Sequence, residues 1–454
     1  MSVPDLLLLR DDEIGLVTDL YQLTMFAAYR HSRRGVRGIF EMWFRDLPQG
    51  RNFLVAAGLE PAIAYLLGLR FPARQIEALR GLPAFSGLGD DFFGALRRLR
   101  FTGDVWGVRE GTIVFPGEPV LRVEAPIEHA QVAETYLLAA VSFSTLVASK
   151  AARVRLAAGG REAVDFGSRR AHGPQAACWA ARAAYLAGLD ATSNVWAASR
   201  LHIPAAGTMA HSFVLAFAHE EEAFRAYART FPERTVLLVD TYDTIAAVER
   251  AAADPELGFV GIRLDSGDVA TLASTCRRLL DAHGRRDVRI VASGDLDEWR
   301  IAAILGAGAP VDAFGVGTRM VTSSDAPSLQ AVYKLVAVEE PGKRLRGVAK
   351  RSAAKRNWPG PKQVWRRRSP GGEMVEDLVT RAGQGPPHGP WEPLLEPWVE
   401  RGRVIAALPS LDESRTVTKA QLAGLPGRWR SLESAPPFPV AFAPELRAEE
   451  QGEC

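Results

Sequence analysis

Cysteine is scarce in this chain and excess charge is absent. The 454 residues contain three cysteines, Cys178, Cys276 and Cys454, far apart and without a Cys-x-x-Cys spacing. That excludes a disulfide framework and a structural zinc site, and it fits a reducing compartment. Against 53 acidic residues stand 55 Lys and Arg, a formal net charge of +2. A near-neutral chain has no general electrostatic preference for nucleic acid or a membrane surface. Long apolar runs are missing too, since no stretch approaches the roughly 20 apolar residues of a membrane span. The short apolar run from Leu6 to Leu9 meets acidic residues at once, unlike a secretion signal with its basic start and longer apolar core. No internal repeat is evident. These absences predict a cytoplasmic protein with no nucleic-acid partner, no membrane partner and no metal cluster of its own.

What is present is the composition of a globular enzyme, 47% hydrophobic and 24% charged, with a length that calls for two or three domains. Residues 16–29 read as a helix opened near Thr18 or Asp19, and residues 39–44 as a strand followed by a turn at Pro48-Gln49-Gly50. Between 102 and 124, short β-rich runs broken by Gly107, Gly111 and Gly117 suggest a small antiparallel patch. A long helix is expected over 129–156, with Lys150 and several arginines toward its C-terminal end, where the helix dipole favours cations. From residue 162 the rhythm changes. Short apolar runs at 163–166, 191–193, 205–208, 236–239, 260–264, 288–292, 313–316 and 331–338 alternate with mostly helix-length connections. Such alternation argues a parallel sheet, and eight repeats argue a barrel rather than an open sheet. After 339 the alternation stops, and 341–372, rich in Lys, Arg, Pro and Gly, read as a mobile basic loop. The expected organisation is an N-terminal α/β domain over 1–128, an α/β barrel over 129–339, and a basic loop with a C-terminal part over 340–454 that packs on the N-terminal domain.

The suspicious polar residues fall where such barrels keep their chemistry, at the C-terminal ends of strands. Gly207-Thr208-Met209-Ala210-His211-Ser212-Phe213 reads as a strand-to-helix junction. An imidazole at a helix start beside hydroxyls can hold phosphate, take a proton, or carry a phosphoryl group as a nucleophile. Three further segments favour phosphate: Asp165-Phe166-Gly167-Ser168-Arg169-Arg170-Ala171-His172-Gly173, Arg263-Leu264-Asp265-Ser266-Gly267-Asp268, and Phe314-Gly315-Val316-Gly317-Thr318. In the last, glycines let backbone N–H groups approach a phosphate and Thr318 adds a hydroxyl, the alternative being an ordinary tight turn. Arg263 and Asp265 share one face of a strand end. The arginine can clamp a carboxylate or phosphate, and the aspartate can hold ribose hydroxyls or magnesium; an internal ion pair is the other reading. Gly294-Asp295 repeats that logic. Phe166 beside Arg169 and Arg170 suits a flat anionic ring, or else is a core aromatic with surface arginines. His172, His202 and His219 lack ligand spacing with His211 and read as structural or exposed, and Cys178 as a core residue on a helix.

Further segments complete a pattern: Leu16-Val17-Thr18-Asp19-Leu20-Tyr21-Gln22-Leu23-Thr24-Met25, Phe40-Glu41-Met42-Trp43-Phe44-Arg45, Leu238-Val239-Asp240-Thr241-Tyr242-Asp243, Tyr333-Lys334-Leu335 and Pro359-Gly360-Pro361-Lys362-Gln363-Val364-Trp365-Arg366. With these, nearly the whole chain resembles the nicotinate phosphoribosyltransferase family, ATP-coupled enzymes of NAD salvage. The resemblance implies an irregular α/β barrel plus an open α/β domain built from both chain ends, and a homodimer with shared active sites. It implies that Tyr21 reaches across the dimer to stack on the pyridine ring opposite Phe166. Thr208 and Arg263 are implied as nicotinate contacts, with Arg169 and Ser193 beside them. Arg169, Asp265, Gly294, Asp295, Gly317 and Thr318 are implied around the phosphoribosyl group, and His211 as the histidine phosphorylated by ATP. His211, Asp265 and Arg263 are then the catalytic set. One departure is Ala349-Lys350-Arg351-Ser352-Ala353-Ala354-Lys355, where a Lys-Leu-Ser-like start is expected.

The implied reaction joins nicotinate to the phosphoribosyl group of phosphoribosyl pyrophosphate, giving nicotinate mononucleotide and pyrophosphate. ATP and Mg2+ take part, and the coupling makes the enzyme formally a C–N-bond-forming ligase. Nicotinamide is the alternative substrate. Related nicotinamide enzymes place an aspartate near Ser193, however, and here Thr192-Ser193-Asn194 is neutral, which favours the acid. The quinolinate enzyme type is shorter and lacks the Gly-Thr-x-x-His segment. A barrel isomerase or lyase on a sugar phosphate would need no ATP, and a silent binding protein would not need His211, Arg263 and Asp265 together.

Overall fold

A computed structural model describes residues 12–350, 357–386 and 388–446. The run from Leu6 to Leu9, Cys454 and the stretch 351–355 of the departing basic segment lie outside the described residues. The chain divides into two compact units, residues 1–146 with 328–454, and residues 147–327.

In the first unit, the strand Arg37–Phe44 is an interior strand of a seven-stranded antiparallel sheet. The order runs Arg346–Gly347, Ala331–Glu339, Arg37–Phe44, Pro119–Pro126, Asp104–Val108, Leu395–Glu400, Arg403–Val404. Strands from the two ends of the sequence therefore share one sheet. A four-stranded sheet, Trp391–Pro393, Lys362–Arg368, Met374–Arg381 and Val440–Phe442, completes the unit's β-structure beside a two-stranded pair. The helix expected near the start runs over Leu20–Ser32, with Asp19 as its N-cap residue.

The segment expected as a mobile basic loop is only partly one. Lys362–Arg368 is a strand paired on both sides, and Lys362 and Arg366 are wholly buried. Lys362 Nζ lies 2.7 Å from the buried Glu41 carboxylate, and Arg366 is held by Asp377. A cation can leave water when a carboxylate answers it, which composition alone does not reveal.

The long helix expected over 129–156 is two helices, Ile127–Val132 and Glu134–Ala158. Glu134–Ala158 has the length and mean hydropathy to cross a membrane, but 78% of its apolar window is buried within the fold. Apolar residues spread around most of its circumference suit a helix to an interior position.

The second unit is a parallel sheet of six strands in the order Ala191–Thr192, Glu162–Asp165, Ala313–Val316, Arg289–Ala292, Gly261–Leu264, Val236–Leu238. Side chains such as Ala163, Ile262, Leu264, Ile290, Ala292, Phe314 and Val316 are buried, as strands covered on both faces demand. Six of the eight expected strands thus form in this unit, and the α/β class holds. The run at 205–208 contributes one parallel bridge, Thr192 with Ala205, and no ladder among the described residues joins Ala205 to Val236–Leu238. The run at 331–338 belongs elsewhere, since Ala331–Glu339 pairs antiparallel with Arg37–Phe44 in the first unit. Apolar runs announce a strand but not its sheet. Accordingly residues 129–146 and 328–339, grouped with the barrel on sequence, fall in the first unit. Ala130, Val132, Ala133, Leu137 and Val141 are part of its core.

Candidate active site

The parallel strands of the second unit end in polar residues, and three of these ends, together with the segment Thr208-Met209, converge on Arg263. Its Nη1 donates to the Thr208 hydroxyl at 2.6 Å and to the Met209 carbonyl at 3.2 Å, Nε donates to Ser293 Oγ at 2.9 Å, and Nη2 donates to Asp265 Oδ1 at 3.0 Å. The guanidinium also lies 5.6 Å from the centre of the Phe166 ring. Only one of these partners is charged. The Arg–Asp ion pair weighed on sequence therefore exists, but it occupies one edge of a guanidinium otherwise held by neutral acceptors.

Asp265 accepts a 2.5 Å hydrogen bond from Ser293, and its backbone N–H donates to Asp240 at 3.1 Å. Burial pushes its carboxyl upward. The Ser293 hydroxyl, the Arg263 charge and hydrogen bond, and His211 outweigh that and hold it below the usual carboxylate range. An ionised carboxylate with its outer oxygen left over is the result.

His211 opens the five-residue helix His211–Leu215, preceded by Ala210 as N-cap residue. Its Nδ1 meets Thr241 Oγ1 at 3.1 Å. Its Nε2 faces Asp240 Oδ1 at 3.9 Å and Asp265 Oδ2 at 3.8 Å, and the side chain is 40% exposed. One nitrogen is thus anchored and the other is open to an incoming group. Asp240 Oδ2 accepts from Ser266 Oγ at 2.5 Å, while its buried Oδ1 has no hydrogen-bond partner.

Among the described residues no group of three or more His, Cys, Asp or Glu could hold a metal ion. The orphaned oxygen of Asp240 and the outer oxygen of Asp265 nevertheless suit Mg2+. That ion typically takes one or two carboxylates and draws its remaining ligands from substrate phosphates and water.

The neighbouring loops are shaped by close approach. Phe166 leaves the strand Glu162–Asp165, and its ring covers Gly315, where a Cβ would meet it at 2.3 Å. Asp165, fully buried, accepts from Gly167 N–H at 2.8 Å and from the Thr192 hydroxyl at 2.7 Å, which fixes the turn after Phe166. Burial raises its carboxyl above the usual range, and the two donors offset this only in part. Gly294 adopts φ +86°, and a Cβ there would stand 1.8 Å from the Asp265 carbonyl oxygen, so no other residue fits. Asp295 follows with φ +53°. A cleft of about 680 Å³ opens beside these turns, lined by Asp265, Gly267, Ser293, Gly294, Asp295 and Arg300 among others. Gly317 caps the short helix Thr318–Val321, whose first N–H groups have no intrahelical acceptor.

The structure thus gathers Phe166, Thr208, His211, Arg263 and Asp265, with Gly294 against Asp265 and Gly317 within 3.3 Å of the Phe166 carbonyl for an added Cβ. Arg169 stands exposed on the turn Ser168–Arg170, and Ser193 is exposed with its N–H donating to Asp165 at 2.8 Å. Tyr21 lies in the first unit, 49% exposed on the helix Leu20–Ser32. Sequence reading missed Asp240, Thr241, Ser293 and Asp165 as site residues. Each sits at or just after a strand's C-terminal end, which is the signal that could have found them. His172, His202 and His219 are exposed as expected, while Cys178 is half-buried rather than fully in the core.

The sequence matches the model of the nicotinate phosphoribosyltransferase (NAPRTase) N-terminal domain over residues 16–142 and of the NAPRTase family over residues 162–369. It is 45% identical over 442 residues to a nicotinate phosphoribosyltransferase of Mycobacterium tuberculosis, spanning 96% of this chain and 93% of that one. A nicotinate phosphoribosyltransferase of Bacillus subtilis is 44% identical over 366 residues, with 79% of this chain and 74% of its own covered. The crystal structure of human nicotinic acid phosphoribosyltransferase aligns with a TM-score of 0.85 at 31% identity, over 96% of this chain and 100% of that chain.

Proposed function

The chain belongs to the nicotinate phosphoribosyltransferase family, and from that premise we propose how its site transfers the phosphoribosyl group of phosphoribosyl pyrophosphate to nicotinate in NAD salvage. The observation that carries the reading is Arg263. A guanidinium bound to one carboxylate oxygen and to neutral Thr208 and Ser293 hydroxyls, beside the Phe166 ring, offers charge and a flat face together. An anionic pyridine ring needs both. Nothing here favours nicotinamide, since Thr192, Ser193 and Asn194 are neutral.

In this reading nicotinate lies between Phe166 and, from the other subunit of a homodimer, Tyr21. Arg263 and Thr208 hold its carboxylate, with Arg169 and Ser193 nearby. Asp265, Gly294 and Asp295 take the ribose hydroxyls, and Gly317 and Thr318 take the 5′-phosphate. The ring nitrogen attacks C1 of the ribose as the C1–oxygen bond to pyrophosphate breaks, so positioning and charge stabilisation supply most of the catalysis. Mg2+, held by Asp240 and Asp265 and by the phosphates, would neutralise charge on the departing pyrophosphate. The His211 imidazole accepts the γ-phosphoryl group of ATP as ADP leaves, and water then releases phosphate from it. Free thiols at Cys178 and Cys276 fit a cytoplasmic location.

The test is incubation with phosphoribosyl pyrophosphate, Mg2+ and ATP, with nicotinate or nicotinamide in parallel, followed by chromatography of the products. Nicotinate mononucleotide is expected from the acid, and product from nicotinamide alone would overturn the substrate assignment. Brief exposure to γ-labelled ATP should leave an acid-labile phosphate on the protein. His211→Ala should lose that label and the nicotinate-dependent ATP hydrolysis while keeping slow ATP-independent transfer. Full ATP coupling in a folded His211→Ala protein would return His211 to a capping role.

A further inference from the structure

Lys150 was expected on sequence to sit at a basic helix end, yet its side chain is buried within the second unit. Its Nζ lies 2.7 Å from Glu298 Oε2 and 2.8 Å from Asp325 Oδ1. Arg153, further along the same helix, donates from Nε to Glu298 Oε1 at 2.8 Å. The two carboxylates have telling positions. Glu298, fully buried, begins the helix Glu298–Gly306 three residues after Asp295. Asp325 lies in the turn that follows the helix Thr318–Val321, which Gly317 opens. The two segments are also joined directly, since Arg319 Nη1 donates to Asp297 Oδ2 at 3.2 Å. The turn bearing Asp325 holds buried Ser323 at φ +43°, a conformation that persists only where its surroundings enforce it.

Burying three charges, Lys150, Arg153 and Glu298, is costly, and apolar side chains of similar size would fill the same space. What the charges add is direction: each carboxylate fixes one helix start or turn against a single ammonium. We propose that Lys150 is a positioning residue that sets the separation between the Gly294–Asp295 loop and the Gly317–Thr318 turn. This rests on the reading above, in which those segments hold the ribose hydroxyls and the 5′-phosphate of one substrate. Lys150 touches neither. It acts through Glu298 and Asp325, matching the two binding segments to the span of a ribose 5-phosphate.

The experiment compares the full-length protein with Lys150→Met and with Asp325→Asn, the latter altering a carboxylate that is 38% exposed and is not needed to fill the core. Binding of ribose 5-phosphate, which spans both segments, and of inorganic phosphate, which needs one, is measured by calorimetry beside steady-state kinetics. Ribose 5-phosphate should bind about 3- to 30-fold more weakly, with inorganic phosphate within about twofold, as expected when a coupling network is cut. The KM for phosphoribosyl pyrophosphate should rise in parallel, while the KM for nicotinate holds. Equal losses for both probes, or no loss in a folded Asp325→Asn protein, would overturn the role of Lys150. Failure of the unaltered protein to bind ribose 5-phosphate would instead remove the site assignment on which it rests.

Discussion

Arg366 and Asp377 sit opposite each other on neighbouring strands of the first unit, both fully buried. They meet in two hydrogen bonds, Nε to Oδ1 at 2.9 Å and Nη2 to Oδ2 at 2.5 Å, and Arg366 Nη1 reaches the Gln421 amide oxygen at 3.0 Å. Arg263 and Asp265 lie two residues apart at one strand end of the second unit and share a single 3.0 Å bond, the arginine being 12% exposed. The chemical pair is the same, but the first closes on itself and the second does not. Cross-strand register brings two planar groups face to face, so all the charge is consumed. Two residues along one strand end meet only edge to edge, which leaves Arg263 to neutral hydroxyls and leaves the outer oxygen of Asp265 facing His211. A closed pair supports a fold; an open one can meet a ligand.

Breaking the closed pair should have the largest effect. Arg366→Met leaves Asp377 buried beside Glu118 without a cation, and about 3–5 kcal/mol of stability should be lost. Denaturant unfolding measures this, and a loss below about 1 kcal/mol would mean that the pair is not structural.

Breaking the open pair should act on chemistry instead. Arg263→Ala should lower kcat/KM for nicotinate by roughly ten- to a hundredfold, about 1.5–3 kcal/mol, with a smaller change in unfolding midpoint than Arg366→Met causes. Mixing Arg263→Ala with Tyr21→Ala under conditions that exchange subunits should recover part of the activity, because one site of a mixed dimer carries neither defect. No recovery despite proven exchange would dissolve the shared-site reading.

The smallest effect concerns pH, and it takes opposite signs in the two units. Burial, then the Asp377 charge and its hydrogen bond, push the Glu118 carboxyl well above its ordinary range. Its contribution is therefore complete below its unfolded pKa and is lost as pH rises through the folded value. Asp265 is held below its ordinary value, so its contribution is present above the unfolded pKa and disappears as pH falls through the folded one. Glu118→Gln should flatten the alkaline side of the stability profile and Asp265→Asn the acid side. Unchanged profiles would show that neither carboxyl is linked to folding.

Much of the site is legible in the amino-acid sequence because its chemistry is written into short turns. Gly294 must tolerate φ +86°, Gly315 must admit the Phe166 ring, and Arg263 and Asp265 share a face by the two-residue period of a strand. Glycine's freedom and the strand period are local properties, carried by covalent neighbours. Asp240 is different. It lies inside a segment that marks the family, yet nothing local says that its Oδ1 goes unpaired beside His211.

By itself the sequence determined the alternation of strands and helices from 162 onward, the polar strand ends, and the family to which the chain belongs. Tertiary structure alone decided which sheet the strand Ala331–Glu339 enters, that Lys150, Lys362 and Arg366 are interior residues, and which Arg–Asp pair closes. The division has a physical cause. Backbone conformation and side-chain periodicity are set within a few residues, whereas burying a charge or pairing a strand depends on partners far along the chain, such as Glu41 for Lys362 and Glu298 for Lys150.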